Sequence, residues 1–109
     1  MPRLERDYQA GLKKRIQTLL PGCLIVKQDA NQTQGILDFL ILYNDRWAML
    51  EVKASADAPH RPNQDYYVEK FAGMSFAAFI YPENEQEVLN ALQQTLRSSD
   101  CRITRVPLR

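Results

Sequence analysis

Apolar residues at Leu4, Tyr8, Leu12, Ile16, Leu19 and Leu20 recur every three or four positions, and Pro21-Gly22 ends the run. That spacing predicts an amphipathic helix over residues 3–20, its apolar stripe bordered by Glu5, Gln9, Lys13 and Lys14. Residues 23–27 read as a short strand and residues 28–34 as a polar loop. Two β-favouring runs, 36–43 and 47–52, then flank Asn44-Asp45, a pair that tolerates left-handed backbone, so this stretch predicts a β-hairpin. A loop marked by Asp57, Pro59 and Pro62 follows. Asn63 is placed to cap a helix running to Ala72, with Gly73 as its terminator. Residues 75–81 are almost all apolar, the pattern of a strand covered on both faces. A last helix begins near Pro82-Glu83 and carries Val88, Leu89, Leu92 and Leu96 on one stripe, and residues 101–106 alternate weakly, like an edge strand.

The predicted order is αβββαβα, an α/β chain with a possible final strand. The hairpin supplies antiparallel pairs. The helix over 63–72 then joins the strand of Glu51 to that of Phe76 as a right-handed parallel crossover. A mixed sheet with helices on both faces is expected, as one domain over residues 1–109.

A loop centred on Asn44-Asp45 sets Tyr43 against Arg46, Ile41 against Ala48 and Phe39 against Leu50. The same rule places Asp38 opposite Glu51, with Lys53 on the face of Glu51 and diagonal to Asp38. Like charges directly opposite each other cost roughly 0.2–1 kcal/mol, and more when buried. A divalent cation between the two acids would remove that penalty. Magnesium is well served by one or two carboxylates and retained waters, and it can act as a Lewis acid toward a phosphoryl oxygen. Lys53 could orient or deprotonate an attacking water and balance charge in the transition state. The blander alternative is a pair of solvated strand-end acids with Lys53 as their ion-pair partner. Asp38 argues against it, because it interrupts the apolar run Ile36-Leu37-Asp38-Phe39-Leu40-Ile41-Leu42.

Composition narrows the partners. Apolar content of 45% and charged content of 25% are ordinary for a globular protein, and a net charge of +1 gives no global basic field. Contact with nucleic acid therefore has to come from local patches such as Lys13-Lys14-Arg15. Cys23 and Cys101 match no metal spacing and no disulfide framework, which fits a reducing cytoplasm. No apolar run approaches the ~20 residues that span a bilayer, and the opening Met-Pro-Arg-Leu-Glu has no signal-peptide character.

Gly35-Ile36-Leu37-Asp38, then about a dozen residues, then Glu51-Val52-Lys53 on adjacent strands resembles the PD-(D/E)xK nuclease superfamily. More narrowly, the chain is similar to the VRR-NUC and phage Holliday-junction-resolvase branches. Leu37 stands where the motif's name puts proline, a residue that shapes backbone and does no chemistry. The resemblance implies a restriction-endonuclease-like fold and Mg²⁺ or Mn²⁺ as cofactor, with Asp38, Glu51 and Lys53 as the central triad. Glu5 would be the leading-helix acid that completes the metal site directly or through water. The backbone carbonyl of Val52 would be a further metal ligand, and Gln64 would position substrate or water.

Lys13, Lys14, Arg15, Arg61 and Lys70 are candidates to follow a DNA backbone, although such residues usually form a solvated face. Of Tyr66 and Tyr67 only one can point to the core, leaving the other able to stack on a base. His60 stands in a proline-bounded loop with no Cys or Asp at triad spacing, so loop decoration outweighs catalysis. The expected activity is structure-selective cleavage of branched DNA, and paired cuts across a junction would require a homodimer. The alternatives are a nuclease of flaps, ends or single strands, and a non-catalytic binding module of the same fold.

Overall fold

A computed structural model describes residues 3–97, and the candidate strand at 101–106 lies outside them. The elements are α1 (Arg3–Leu19), β1 (Leu24–Lys27), β2 (Phe39–Tyr43), β3 (Arg46–Val52), α2 (Gln64–Ala72), β4 (Phe76–Ile80) and α3 (Glu85–Leu96). They build an α/β domain around one four-stranded mixed sheet, ordered β1-β2-β3-β4. β1, β2 and β3 pair antiparallel, and β4 joins β3 in parallel across α2.

Hairpin register follows the turn. Asn44 takes the left-handed conformation at φ 56°, and Tyr43↔Arg46, Ile41↔Ala48 and Phe39↔Leu50 face each other as the centring rule requires. Alternation then sends Phe39, Ile41, Ala48, Leu50 and Val52 to one face, with Ile25 and Ile80 beside them. Leu12, Ile16 and Leu20 at α1, and Val88, Leu89, Leu92 and Leu96 of α3, close over that face as the core. α2 covers the other face, where Phe71 meets the Trp47 ring edge-on at 6.1 Å.

Three local expectations change. Among the described residues β4 lies at the sheet edge, where Phe76–Phe79 are only half-buried and Ile80 alone of the strand is fully enclosed. Asn63 does precede α2, but at φ 72° and without a side-chain cap; its amide reaches the Gln34 carbonyl at 3.4 Å instead. Gly73 ends α2 in right-handed backbone (φ −75°), so its freedom at positive φ is not used. The glycine that matters is Gly35. It sits at φ 87°, and a Cβ there would lie 2.5 Å from the Asn63 Cβ and 2.6 Å from the Pro62 carbonyl oxygen. The loop before β2 can touch the loop before α2 only because residue 35 has no side chain.

Candidate functional site

Those two loops and the start of α1 wall a cavity of about 210 Å³ at the end of the sheet, lined by Glu5, Asn31, Gln34, Asp38, Glu51, Lys53, Arg61 and Gln64 among others. β3 delivers Glu51 on the α2 face, and the chain leaving β3 delivers Lys53 two residues on. Both are buried, at 3% and 4% exposure, so neither is a solvated strand-end charge.

Asp38 stands one residue before β2, just beyond the hairpin ladder. Its Oδ2 accepts the Val52 N–H at 2.9 Å, which draws the carboxyl across the sheet end toward Glu51. Burial drives the Glu51 carboxyl well above the usual carboxylate range, up to about 8. The Asp38 charge adds to that rise, Lys53 opposes it, and a proton-sharing contact with Asp38 and the charge of Glu5 add further. The two acids therefore meet on one side of the sheet, with Glu5 close enough to be felt.

Gln64, the first residue of α2, ties the cluster together. Its Nε2 donates to Glu51 Oε2 at 2.7 Å, and its Oε1 accepts from Lys53 Nζ at 2.7 Å and the Arg61 N–H at 2.8 Å. With both ends of its amide bonded inside the cluster, Gln64 holds Glu51 and Lys53 in place. Lys53 Nζ also donates to the Pro59 carbonyl at 3.1 Å and lies 3.7 Å from Glu51 Oε2. Glu51 Oε1 is buried with no hydrogen-bond partner. An orphaned carboxylate oxygen beside a second carboxylate is a demand for positive charge.

Among the described residues no three His, Cys, Asp or Glu side chains close around one point. The donor set is two carboxylates with Glu5 at the rim, which still suits a hard cation that keeps several waters.

Sequence reasoning missed Lys27. Its Nζ donates to Asp38 Oδ1 at 2.9 Å and to Gln9 Oε1 at 3.2 Å. It also missed a partner for His60, whose Nδ1 lies 2.7 Å from Asp65 Oδ1 while its ring stacks on Phe79 at 4.1 Å. That pair packs the loop carrying Pro59 and Arg61 against the sheet.

The other candidates scatter. Arg61 lines the cavity. Lys13 and Lys14 are exposed on α1. Arg15 is committed to Glu85 by two 2.7 Å bonds, a helix-to-helix clasp. Lys70 lies over the Tyr66 ring at 5.9 Å. Tyr66 is exposed, whereas Tyr67 stacks on Phe71.

Compared with known proteins, the chain matches no family model, no curated sequence and no solved structure at a significant level. No helix among the described residues is long and apolar enough to cross a membrane.

Proposed function

We propose that this chain is a Mg²⁺- or Mn²⁺-dependent DNA endonuclease of the PD-(D/E)xK type, with a restriction-endonuclease-like fold and a preference for branched DNA. The observation that carries the reading is buried Glu51 facing half-buried Asp38, with one Glu51 oxygen unpartnered and Lys53 alongside. Asp38 and Glu51 would hold the cation, with Glu5 acting through water and the Val52 carbonyl close by in the chain. The bound ion supplies Lewis acidity at a phosphoryl oxygen and a water of lowered pKa.

The protein's own groups do the rest. Lys53, fixed by Gln64 and Pro59, presents positive charge where the attacked phosphate gains negative charge. With two of its donor directions taken by carbonyl oxygens, its part is to orient water and balance charge, in preference to acting as a base. Gln64 keeps the Glu51 carboxylate and the Lys53 ammonium at a set spacing, and Arg61 at the rim can take a flanking phosphate. The basic residues near the site are few and scattered, which favours recognition of DNA shape over base sequence. Paired cuts on a junction would then come from a homodimer.

The test is Mg²⁺-dependent cleavage of a four-way junction beside a flap, a nicked duplex and a linear duplex. Asp38→Ala and Glu51→Ala should each abolish cutting while thermal unfolding stays cooperative. Wild-type rates in either variant would end the reading. Cutting of flaps or ends with the junction intact would keep the chemistry and replace the substrate.

A further inference from the structure

Lys27 holds two environments together. On one side its ammonium is bonded to Asp38 Oδ1 (2.9 Å), the oxygen left over once Oδ2 has taken the Val52 N–H. On the other it lines a hollow of about 340 Å³ between α1 and the β1–β2 pair, with Arg6, Gln9, Lys13 and Phe39. Arg6 and Lys13 are seven residues apart on the helix, two turns, so they share a face roughly 10 Å long. Gln9, between them, is buried, and its Nε2 donor has no partner. Three cations around an open hollow have the chemistry of a phosphate site.

The two lysines at Asp38 and Glu51 differ in freedom. Lys53 is enclosed and held by two short bonds. The Lys27 side chain is 47% exposed, on a flexible four-carbon stem. A cation arriving at Asp38 meets Lys27 on the same oxygen, and Lys27 is the one that can leave.

We propose that the hollow lined by Arg6, Gln9, Lys13 and Lys27 binds a backbone phosphate of the nucleic acid, and that Lys27 is shared between that phosphate and Asp38. Without a divalent cation Lys27 rests on Asp38; with one it is released to the phosphate. Cation binding and DNA binding are thereby coupled, each favouring the other. Lys27 is a positioning residue here, since it acts on the carboxylate and the DNA backbone and not on the scissile bond. This inference rests on the nuclease reading of the carboxylate pair.

The experiment compares the wild type, Lys27→Met and Lys13→Met. Divalent-cation affinity is read from the rise in melting temperature on Ca²⁺ titration, and affinity for a labelled DNA junction is read with and without Ca²⁺, uncut DNA being verified on a gel. Lys27→Met should bind Ca²⁺ about three- to fivefold more tightly, having lost a half-exposed competitor. It should also lose the Ca²⁺-dependent gain in DNA affinity, with a salt slope lower by about one. Lys13→Met should weaken DNA binding with or without Ca²⁺ and leave Ca²⁺ affinity alone. If Lys27→Met binds Ca²⁺ no more tightly than wild type, or keeps the Ca²⁺-dependent gain, the sharing is overturned even though the wild type binds cation and cuts DNA. A wild type that takes up no divalent cation overturns both this inference and the nuclease reading.

Discussion

Two acid clusters in this domain are built from similar parts and behave in opposite ways. At the α1–α3 contact, Glu85 accepts 2.7 Å bonds from Arg15 on both oxygens and a third from the Tyr8 hydroxyl. Arg15 holds the Glu85 carboxyl below the usual carboxylate range, while burial and Glu85 push the Tyr8 phenol well above its own. Every group there is lowered in energy by its neighbours, and the cluster clasps two helices. At the sheet end, Glu51 is buried, faces a second acid and has an oxygen with no partner. A carboxylate satisfied on all sides belongs to the architecture, whereas one kept in an environment that opposes its charge is held ready for a positive ligand.

The contrast can be broken most severely at Gly35. Burial of Glu51 depends on the two loops meeting, and Gly35→Ala introduces a positive-φ residue whose Cβ would lie 2.5–2.8 Å from Pro62 and Asn63 atoms, backbone among them. A loss of about 3 kcal/mol in urea unfolding is expected from strain and overpacking together. A loss below about 1 kcal/mol would show that the wall yields easily and that Glu51 is not firmly enclosed.

Substituting the two glutamates tests the contrast directly, because the signs should differ. Glu51→Gln keeps an oxygen for Gln64 Nε2 and removes the charge that burial and Asp38 oppose. Without divalent cation at pH 8 it should raise stability by about 1–2 kcal/mol, while abolishing cleavage. Glu85→Gln loses a charge-assisted pair and should lower stability by about 1 kcal/mol, measured the same way. Two changes of the same sign would remove the distinction between the clusters.

Much of the sheet-end cluster was legible in the chain because it follows from local rules. A two-residue reversal at Asn44-Asp45 sets the β2–β3 register, and that register puts Glu51 and Lys53 on the α2 face with Asp38 at the ladder's end. What escaped depends on distant contacts. Lys27 reaches Asp38 only through β1–β2 pairing, and the eleven residues between those strands leave that register unspecified by any turn. The His60–Asp65 pair with Phe79 and the Gly35–Asn63 contact likewise join segments that no periodicity links. The apolar run of β4 did not reveal its place at the edge, because an edge strand sheltered by helices has the same composition as a central one.

The most diagnostic comparison uses pH and leaves the chain unaltered. Glu51 has a folded-state pKa raised above its unfolded value, so the native state holds the extra proton between the ordinary carboxylate range and about 8. Its stabilising contribution is complete at low pH and is lost as pH rises toward 8. Glu85, with its pKa lowered, contributes above the carboxylate range and loses that contribution as pH falls. Metal-free wild type should therefore lose stability from pH 6 to pH 8, and Glu51→Gln should flatten that decline where Glu85→Gln does not. Mg²⁺ at a few times its Kd should recover about 1 kcal/mol at pH 8 and less at pH 6, because the cation competes with the proton on Glu51. Melting temperatures across that range, with and without Mg²⁺, read the effect. A Mg²⁺ response independent of pH would place the cation somewhere other than on this carboxylate.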